Sequence, residues 1–461
     1  MNDYAVVLQH ASMSAAEAHN KAAIFDRLRE AAGEVGLSNA ADFAFFVPGR
    51  IELFGKHTDY AGGRSLLCCV ERGFCFLCWR RKDRKIRFLE TANDRRIAEW
   101  ELSSKTGIVD PHWALYPVTV SRRVCRNFPS ARFGADVIFS SDLPRASGLS
   151  SSSAFVVGSF LALAAANDLS ETEEYKQNLP DCEHLAAYLG AVENGSTFRS
   201  LEGDEGVGTL GGSEDHTAVL YSHAGQLSQY AFRPVRHERS IALPAGVSFV
   251  IASSGVAADK TGFAQGQYNR ASQLARTVLD LWNQKRARND KSLAAAVDSC
   301  IGAREQIRDL ILESPGDPKA LLARFEHFLR ESYELVPEAG NALSLRDWAR
   351  FGELAAQSQE AAECLLGNQI PETSFLARSA RECGAYAASA FGAGFGGSVW
   401  ALVPSGIMNQ FVQSWGEAYR RKFPDYDRAA FFETGAGPAA LSLDGNVYEL
   451  RRRRPAPMRE Y

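Results

Sequence analysis

Residues 48–63 of this chain read PGRIELFGKHTDYAGG and hold the densest polar chemistry in the sequence. The apolar residues 43–47 before them predict a buried strand, and residues 65–70 resume an apolar run. Arg50 and the tetrad from Lys56 to Asp59 bring together cations, an imidazole, a hydroxyl and a carboxylate, which all make directed hydrogen bonds. A plain polar hairpin turn does not need so many such groups. The stretch therefore favours a strand that stops at an edge facing a ligand.

The same stretch is not a Walker phosphate loop, although its glycines and lysine suggest one. Five residues separate Gly49 from Gly55, where that loop has four, and His57 follows the lysine in place of serine or threonine. A candidate phosphate site therefore has to lie elsewhere in the sequence.

The composition is that of a globular protein with two domains or one large one. The chain has 461 residues, 46% of them hydrophobic, which is enough to bury a substantial core. Its net charge of −4 argues against a nucleic-acid partner. The basic runs at residues 80–85 and 451–454 fit exposed surface. We expect a monomer that binds no nucleic acid.

The cysteines and the apolar runs predict a cytoplasmic protein. The nine cysteines show no pairing typical of a metal site or a disulfide framework, which points to a reducing compartment. Cys75 and Cys78 lie in an apolar run, so we expect buried thiols there. No signal-peptide pattern is evident, and no apolar run reaches the roughly eighteen residues of a membrane span. We expect no membrane association.

Residues 142–154, DLPRASGLSSSSA, predict a phosphate-binding loop. They follow a predicted strand at residues 135–139 and lead into a predicted helix at residues 153–166, and this order points free backbone N–H groups at an anion. The serine hydroxyls add donors for phosphate oxygens and one possible ligand for a hard cation. A flexible serine-rich linker is the alternative, but the run is short and enters an apolar helix directly.

Two glycine-rich segments follow later in the chain. Residues 207–216, VGTLGGSEDH, place glycines beside carboxylates, which suits a tight loop that approaches a ligand. Residues 390–399, AFGAGFGGSV, lead into a predicted strand at residues 398–403. The order of elements around this second segment is wrong for a dinucleotide-binding fingerprint, because no helix and acidic ribose reader follow.

Together these stretches resemble the GHMP small-molecule kinase superfamily, and the first resembles the signature of its galactokinases. That signature runs GRxNLxGEHTDYxxG; here Glu52 stands in place of the asparagine and Lys56 in place of the glutamate. The serine loop resembles the superfamily pattern PxGxGLSSS, with Ala146 in place of the first glycine. Residues 207–216 resemble the galactokinase segment VGxxxGxxDQ, with His216 in place of glutamine, and residues 390–399 resemble the third superfamily motif.

The resemblance implies an α+β, two-domain GHMP kinase fold with the active site in the interdomain cleft. We place the division at residues 244–246, which gives an N-terminal domain of residues 1–245 and a C-terminal domain of residues 246–461. It implies ATP and Mg²⁺ as cofactors. The residues expected to bind ATP are Trp113, Ala146, Ser147, Gly148, Leu149, Ser150, Ser151 and Ser152, with Tyr116 beside Trp113 against the adenine, although core packing explains both aromatic residues equally well.

The resemblance also assigns roles to individual residues. Asp215 is the expected catalytic carboxylate with Arg50 beside it, and Asp204 and Glu214 are rival carboxylates. Ser152 and Glu193 are the expected Mg²⁺ ligands. The residues expected to bind the sugar are Lys56, His57, Thr58, Asp59, Gly212 and Tyr268.

The expected activity is transfer of the γ-phosphoryl group of ATP to the anomeric C1 hydroxyl of galactose or a related monosaccharide. Lys56 can donate hydrogen bonds but cannot accept them. Because it stands in place of the family glutamate, the sequence does not decide which sugar is the substrate. One hypothesis pairs Lys56 with the carboxylate of a uronic acid such as galacturonate. The rival hypothesis turns Lys56 toward Glu52, so that galactose or arabinose is used. A non-catalytic sensor of sugar and ATP is a second alternative to the enzyme.

Overall fold

The structure is a computed structural model that describes residues 4–92, 95–107, 109–258 and 265–444. The basic run predicted at residues 451–454 lies outside these ranges. The strands that it describes are β1 Phe43–Phe54, β2 Arg64–Arg80, β3 Lys85–Glu90, β4 Ile97–Glu101, β5 Ala135–Ser141, β6 Gln226–Ala231, β7 Arg236–Ala242, β8 Val247–Ser253, β9 Ala387–Phe391, β10 Ser398–Pro404, β11 Ala430–Thr434 and β12 Leu441–Ser442.

These strands form two sheets. The larger sheet has the order β12-β1-β2-β5-β3-β4, with β6 paired to the start of β2 and β7 paired to β6. Its pairs are antiparallel except β3 with β5, which are parallel. The smaller sheet has the antiparallel order β11-β8-β10-β9.

Most of the α-helices pack on the two sheets or on helices that do. Residues 265–366 contain helices and no strand, and we call them the helical region; its first four helices pack mainly on one another around their own core. The helix Ser151–Ala166 is buried on nearly every side between the larger sheet and its neighbours, and a Cβ added to its Gly158 would lie 2.2 Å from the ring of Phe76. In chain order the helices are α1 Tyr4–His10, α2 Ala15–Glu34, α3 Leu115–Asn127, α4 Ser151–Ala166, α5 Glu173–Asn178, α6 Cys182–Asn194, α7 Glu214–Tyr221, α8 Gln265–Arg286, α9 Leu293–Val297, α10 Ala303–Leu312, α11 Pro318–Leu329, α12 Val336–Ser344, α13 Trp348–Ala361, α14 Pro371–Glu382 and α15 Met408–Lys422.

The strand predicted at residues 43–47 does not stop before the polar stretch. β1 continues through Arg50 to Phe54, and its pairing with β2 shifts register between Pro48 and Arg50 and again between Glu52 and Phe54. Side chains two residues apart in a strand lie on the same face, so Arg50 and Glu52 point to the same side of β1. Arg50 and Glu52 are therefore presented by an irregular strand, whereas residues 56–59 lie in the loop that follows its end at Phe54.

Pro337 and Gly340 in the sequence predict a helix break around residues 337–341, and this prediction is wrong. α12 contains these residues and directly follows a π-helical stretch, Arg330–Leu335. Pro337 falls in the first turn of α12, where a missing backbone N–H and a fixed φ are tolerated. Glycine and proline in the sequence therefore marked a change of helix type and not a loop.

The two sheets divide the chain close to the predicted division at residues 244–246. β1 to β7 belong to the larger sheet and β8 to β11 to the smaller one, while β12 returns to pair with β1. The domain boundaries themselves stay a prediction. Among the helices within the described ranges, we find none with the length and apolar character needed to cross a bilayer.

Candidate active site

A polar cavity lies where β1, the starts of α4 and α7, the end of α6 and the loop after β9 meet. Most of its lining is charged or able to hydrogen-bond, unlike an ordinary gap in a hydrophobic core. The lining residues are Arg50, Glu52, His57, Asp59, Tyr60, Ser153, Gly190, Glu193, Asn194, Thr209, Gly211, Gly212, Glu214, Asp215, His216, Tyr268, Gly392 and Ala393. We call this cavity the sugar pocket, because several of the residues predicted to bind the sugar line it.

Arg50 and Asp215 form the tightest ion pair in the sugar pocket. Asp215 Oδ1 accepts a hydrogen bond from Arg50 Nε at 2.8 Å and lies 2.6 Å from Arg50 Nη2. The remaining fork nitrogen, Nη1, donates to the carbonyl oxygen of Gly148 at 2.7 Å. Burial alone lowers the pKa of Arg50, but the charges of Asp215 and its neighbours more than reverse this, so the pKa is raised. Arg50 stays a cation and fixes both the carboxylate and the serine loop.

Ser153 joins the two carboxylates that were expected to serve different roles. Its hydroxyl lies 2.8 Å from Glu193 Oε2 and 3.2 Å from Asp215 Oδ2. His216 Nε2 lies 3.0 Å from the same Glu193 oxygen, without the alignment of a hydrogen bond. The sequence interpretation missed Ser153 because it is the fourth serine of a run whose family pattern has three; its place in the first turn of α4 was the available signal.

Asp59 and Gly212 depend on each other. Asp59 Oδ2 accepts the backbone N–H of Glu214 at 3.0 Å, which anchors the start of α7 against the loop after β1. A Cβ on Gly212 would lie only 2.3 Å from that same oxygen. Because real Cβ atoms do not approach so closely, the glycine at this position lets the two segments meet. The pKa of Asp59 is raised, chiefly by burial.

His57 is held by contacts on both ring nitrogens. Nδ1 lies 3.1 Å from the hydroxyl of Tyr60, and Nε2 lies 3.1 Å from the carbonyl oxygen of Ala393. Tyr268 packs its ring 5.2 Å from the imidazole. Arg324, which the sequence interpretation missed, is fully buried and donates to the His57 carbonyl oxygen and to the Tyr60 hydroxyl. The signature loop is therefore braced by α11 of the helical region.

Lys56 and Thr58 do not line the sugar pocket. The Lys56 ammonium is fully buried and donates to Ser358 Oγ of α13 at 2.5 Å. The Thr58 hydroxyl contacts the carbonyl oxygens of Gly55 and Arg64 at 2.8 and 2.7 Å. The expectation that these two side chains bind sugar is corrected, because both point into the protein. The sequence could not give these directions, since the loop after β1 has left the alternation of a strand.

A second cavity of about 400 Å³ lies beside the serine loop. Of the residues expected to bind ATP, it is lined by Trp113, Ala146, Gly148, Ser150, Ser151 and Ser152, and Tyr116 joins them. Phe155 forms part of the wall and stacks on Phe74, with ring centroids 5.4 Å apart. An apolar wall opposite a loop of small residues suits a planar base and its phosphates. We call this the nucleotide cavity.

Ser147 and Leu149 are buried and do not line the nucleotide cavity. The Ser147 hydroxyl donates to the carbonyl oxygen of Pro144 at 2.8 Å, and its own carbonyl oxygen accepts the Ser398 hydroxyl at 2.6 Å. The Leu149 carbonyl oxygen accepts the backbone N–H of Arg50 at 3.2 Å. Their expected contact with ATP is corrected to support of the loop, because the turn alternates between residues that face the cavity and residues that face the protein.

The loop has the unusual backbone that a phosphate cradle requires. Ala146, Gly148 and Ser150 have φ angles of 47°, 79° and 58°, in the left-handed region. The third glycine-rich motif packs beneath it, since a Cβ on Gly392 would lie 2.8 Å from the Gly148 carbonyl oxygen. The two motifs therefore fix each other's backbones, at the border between the nucleotide cavity and the sugar pocket.

Ser152 and Glu193 line different cavities. Ser152 lies in the nucleotide cavity, Glu193 in the sugar pocket, and it is Ser153 that contacts Glu193. No cluster of three or more metal-binding side chains occurs among the described residues. Glu193, Asp215 and Ser153 nevertheless converge with hard oxygen donors, the type of ligand that Mg²⁺ prefers when phosphates complete its shell.

The rival carboxylates occupy distinct places. Asp204 lies 2.6 Å from Arg122 and 3.4 Å from Arg126 of α3, outside the sugar pocket, in the polar segment 194–206. Glu214 lines the pocket but accepts the Ser65 hydroxyl at 2.7 Å and lies 3.9 Å from Arg50. Burial, followed by the neighbouring carboxylates, raises the pKa of Glu214 well above its usual range. Of the three, Asp215 has the closest contact with Arg50.

Comparisons with known proteins agree with this geometry. Residues 36–79 match the model of the galactokinase galactose-binding signature, residues 116–196 the GHMP kinase N-terminal domain and residues 339–421 the GHMP kinase C-terminal region. The galactokinase of Enterococcus faecalis is 28% identical over 401 residues, which cover 87% of this chain and 94% of that protein. The galactokinase of a Roseiflexus species is 27% identical over 378 residues, which cover 81% of this chain and 86% of that protein.

A solved structure shares the fold. The crystal structure of Lactococcus lactis galactokinase complexed with galactose superposes with a TM-score of 0.73 at 21% identity, covering 91% of this chain and 99% of that one. The matches to the galactokinase signature and to the two GHMP kinase regions therefore agree with the shared fold. The chain carries the galactokinase signature and matches both GHMP kinase domain models, and it has the GHMP kinase fold.

Proposed function

We propose that this chain is an ATP-dependent sugar kinase that phosphorylates the anomeric C1 hydroxyl of galactose. The observation that carries the proposal is the Arg50–Asp215 pair, which lies in the sugar pocket while Arg50 also holds Gly148 of the nucleotide loop. One guanidinium thus connects a buried carboxylate to the loop expected to hold the phosphates. Phosphoryl transfer needs this arrangement, in which an acceptor hydroxyl and a γ-phosphate meet beside a cation.

Asp215 is the residue proposed to receive the hydroxyl proton. Arg50 bonds Asp215 Oδ1, so Oδ2 is the oxygen directed toward Ser153 and the pocket. A carboxylate placed in this way orients the hydroxyl and gains about 10²- to 10⁴-fold if it acts as a general base. Arg50, a permanent cation, stabilises charge that develops on the transferred phosphoryl group.

Mg²⁺ fits the residues that are present. Glu193 is the proposed protein ligand, together with a serine hydroxyl of the loop, either Ser152 as the family resemblance implies or Ser153, which contacts Glu193 at 2.8 Å. When bound, the ion neutralises phosphate charge and orients the γ-phosphoryl group. His216 Nε2 lies 3.0 Å from Glu193, next to this proposed site.

The alternative substrates and the sensor hypothesis are not favoured. Relatives that match this chain over most of their own length are galactokinases. The sugar pocket is lined by the five carboxylates Glu52, Asp59, Glu193, Glu214 and Asp215, and Lys56 is not available to pair with a uronic acid. An anionic sugar would meet like charge there.

The test is incubation of the purified protein with ATP, Mg²⁺ and galactose, with ADP release followed by a coupled assay and the product identified by ³¹P NMR. We expect galactose 1-phosphate from the wild type. Asp215→Asn, which keeps the shape of the side chain, should lose turnover by at least about 10²-fold while its affinity for ATP, measured by calorimetry, stays unchanged. Binding of galactose and ATP by the wild type with no ADP released would overturn the proposal.

A further inference from the structure

Glu52 and Lys56, the two residues that differ from the galactokinase signature, lie four residues apart, and both differences change a charge. Where the family pattern has a neutral asparagine and then an acid, this chain has the acid Glu52 and then the base Lys56. The structure shows that the two side chains separate. Glu52 lines the sugar pocket, whereas Lys56 points away from it to Ser358 of α13. The carboxylate has in effect moved from position 56 to position 52.

Lys56 ends in a buried polar chain within the helical region. Its ammonium donates to Ser358 Oγ, and that hydroxyl in turn donates to Glu331 Oε1 at 2.5 Å. Glu331 Oε2 accepts the backbone N–H of Gly55 at 2.8 Å. The charge of Lys56 is thus balanced by a carboxylate of the π-helical stretch. Because this network uses the ammonium as a structural donor, Lys56 contributes no contact to a ligand.

Glu52 is a buried carboxylate that can accept further hydrogen bonds. Its exposed fraction is 2%, and Oε2 accepts the backbone N–H of Gly392 at 2.8 Å. Oε1 receives no hydrogen bond from the part of the chain that the structure describes, and within that part no cation lies within 4 Å of either oxygen. A buried carboxylate normally has both oxygens hydrogen-bonded, so an acceptor that faces a pocket suggests a partner supplied by the ligand.

We propose that Glu52 is a specificity-determining residue whose Oε1 accepts a hydrogen bond from one hydroxyl group of the bound sugar. This inference rests on the proposed function and names a contact within its substrate site. An ionised carboxylate only accepts, and a sugar hydroxyl can donate, so the two are complementary. A site built around such a bond rejects analogues that lack the hydroxyl, because the carboxylate would remain buried and unpaired.

The charges around Glu52 set the pH range in which it can accept. Burial raises its pKa to about 7, opposed by Arg50, Lys56 and the Gly392 N–H and assisted by Asp215. Two further titratable groups, Glu214 and Tyr60, interact with Glu52 through its charge. A folded-state pKa above the usual value means that the carboxylate is lost as the pH falls through about 7. Lys56 is then a positioning residue, since its charge favours the ionised form of Glu52.

The first experiment compares galactose with its 2-, 3-, 4- and 6-deoxy analogues in the wild type and in Glu52→Gln. Glutamine keeps the shape and can still accept from Gly392, so the variant should fold. We expect the wild type to discriminate strongly against one analogue, and Glu52→Gln to reduce that one discrimination at least about 10-fold, with the KM for ATP unchanged. An equal loss for galactose and for every analogue would overturn the proposal, because it would show a role in loop structure alone.

The second experiment measures kcat/KM for galactose against pH. In the wild type we expect a fall as the pH drops through about 7, and in Glu52→Gln that fall should disappear. Glu71→Gln is the matched control, because Glu71 is a buried carboxylate outside the sugar pocket, where it accepts the backbone N–H of Gly435 at 3.3 Å. It should keep the wild-type pH profile even if its thermal stability drops. A wild-type profile in Glu52→Gln would contradict the inference.

These outcomes are distinct from failure of the proposed function. If the wild type phosphorylates no sugar, the proposed function fails before Glu52 is tested. If the wild type phosphorylates galactose and Glu52→Gln discriminates among the deoxy sugars as the wild type does, only the inference about Glu52 fails.

Discussion

The nucleotide cavity and the sugar pocket share a border but are built by different means. The nucleotide loop is shaped by its backbone, with three residues in the left-handed region and carbonyl groups packed on the third glycine-rich motif. The sugar pocket is shaped by charged side chains, with Arg50 and five carboxylates around one space. A backbone site depends on which residues can adopt a conformation, whereas a side-chain site depends on where each side chain points. The same substitution therefore has different consequences on the two sides.

Arg50→Lys should have the largest effect, because Arg50 belongs to both sites. Lysine keeps the charge but cannot contact Asp215 and the Gly148 carbonyl oxygen together. We expect kcat/KM for galactose to fall by about 10²- to 10³-fold, the loss that follows removal of one transition-state donor. Steady-state kinetics provides the measurement. Arg64→Lys is the control, since Arg64 pairs with Glu238 outside both cavities; a similar loss there would mean that the effect is not local.

Gly212→Ala should damage the sugar pocket and spare the nucleotide cavity. The added methyl would lie 2.3 Å from Asp59 Oδ2, so Asp59 or the start of α7 must move. We expect the KM for galactose to rise by about 10- to 100-fold, since overpacking costs roughly 1–3 kcal/mol. Nucleotide affinity, measured by calorimetry in the absence of sugar, should change little. Equal losses for both ligands would show that the two sites are not separable.

A comparison of Ser153→Ala with Ser152→Ala tests which of the two serines acts in the sugar pocket and which acts in the nucleotide cavity. Ser153 contacts Glu193 and Asp215, whereas Ser152 lines the nucleotide cavity. Loss of the Ser153 hydroxyl should lower kcat by about 3- to 10-fold, the effect of one hydrogen bond of ordinary strength. The Mg²⁺ concentration that gives half-maximal activity decides the ligand: the variant that raises it more has lost the serine that binds the ion.

Ala146→Gly should have the smallest effect, and the quantity that it changes is the stability of the protein. Ala146 has a φ of 47°, where a side chain is strained and glycine is not. Relief of this strain, offset by the greater freedom of glycine in the unfolded chain, should change the free energy of unfolding by less than about 1 kcal/mol. Urea denaturation measures it. A loss of more than that amount would mean that the Ala146 methyl makes a packing contact that outweighs the strain.

The backbone-built part of the molecule was predicted well from sequence. The strand predicted at residues 135–139 lies within Ala135–Ser141, and the strand predicted at residues 398–403 lies within Ser398–Pro404. The serine loop enters α4 as expected, because its small residues and the order of strand, loop and helix are local properties. Arg50, Asp59, Gly212, Asp215 and Tyr268 were correctly expected to lie together, since they all line the sugar pocket.

The side-chain directions were not predictable in the same way. Lys56 and Thr58 belong to the signature by sequence, but a loop without a regular period hides which residues turn inward. The partner of Lys56 is Ser358, some three hundred residues later, and no local pattern connects them. Arg324 was missed for the same reason, because its role comes from contacts with residues 57 and 60, far away in the sequence.

The return of β12 to the larger sheet has a consequence for the order in which the protein is made. β1, which carries Arg50 and Glu52, pairs with Leu441–Ser442, and the Cys69 carbonyl oxygen accepts the backbone N–H of Gly437 at 2.8 Å. During synthesis β1 leaves the ribosome long before these partners exist. The edge of the sheet next to Arg50 therefore stays open until residues 437–442 emerge, and the nascent chain carries an unpaired strand edge for most of its translation.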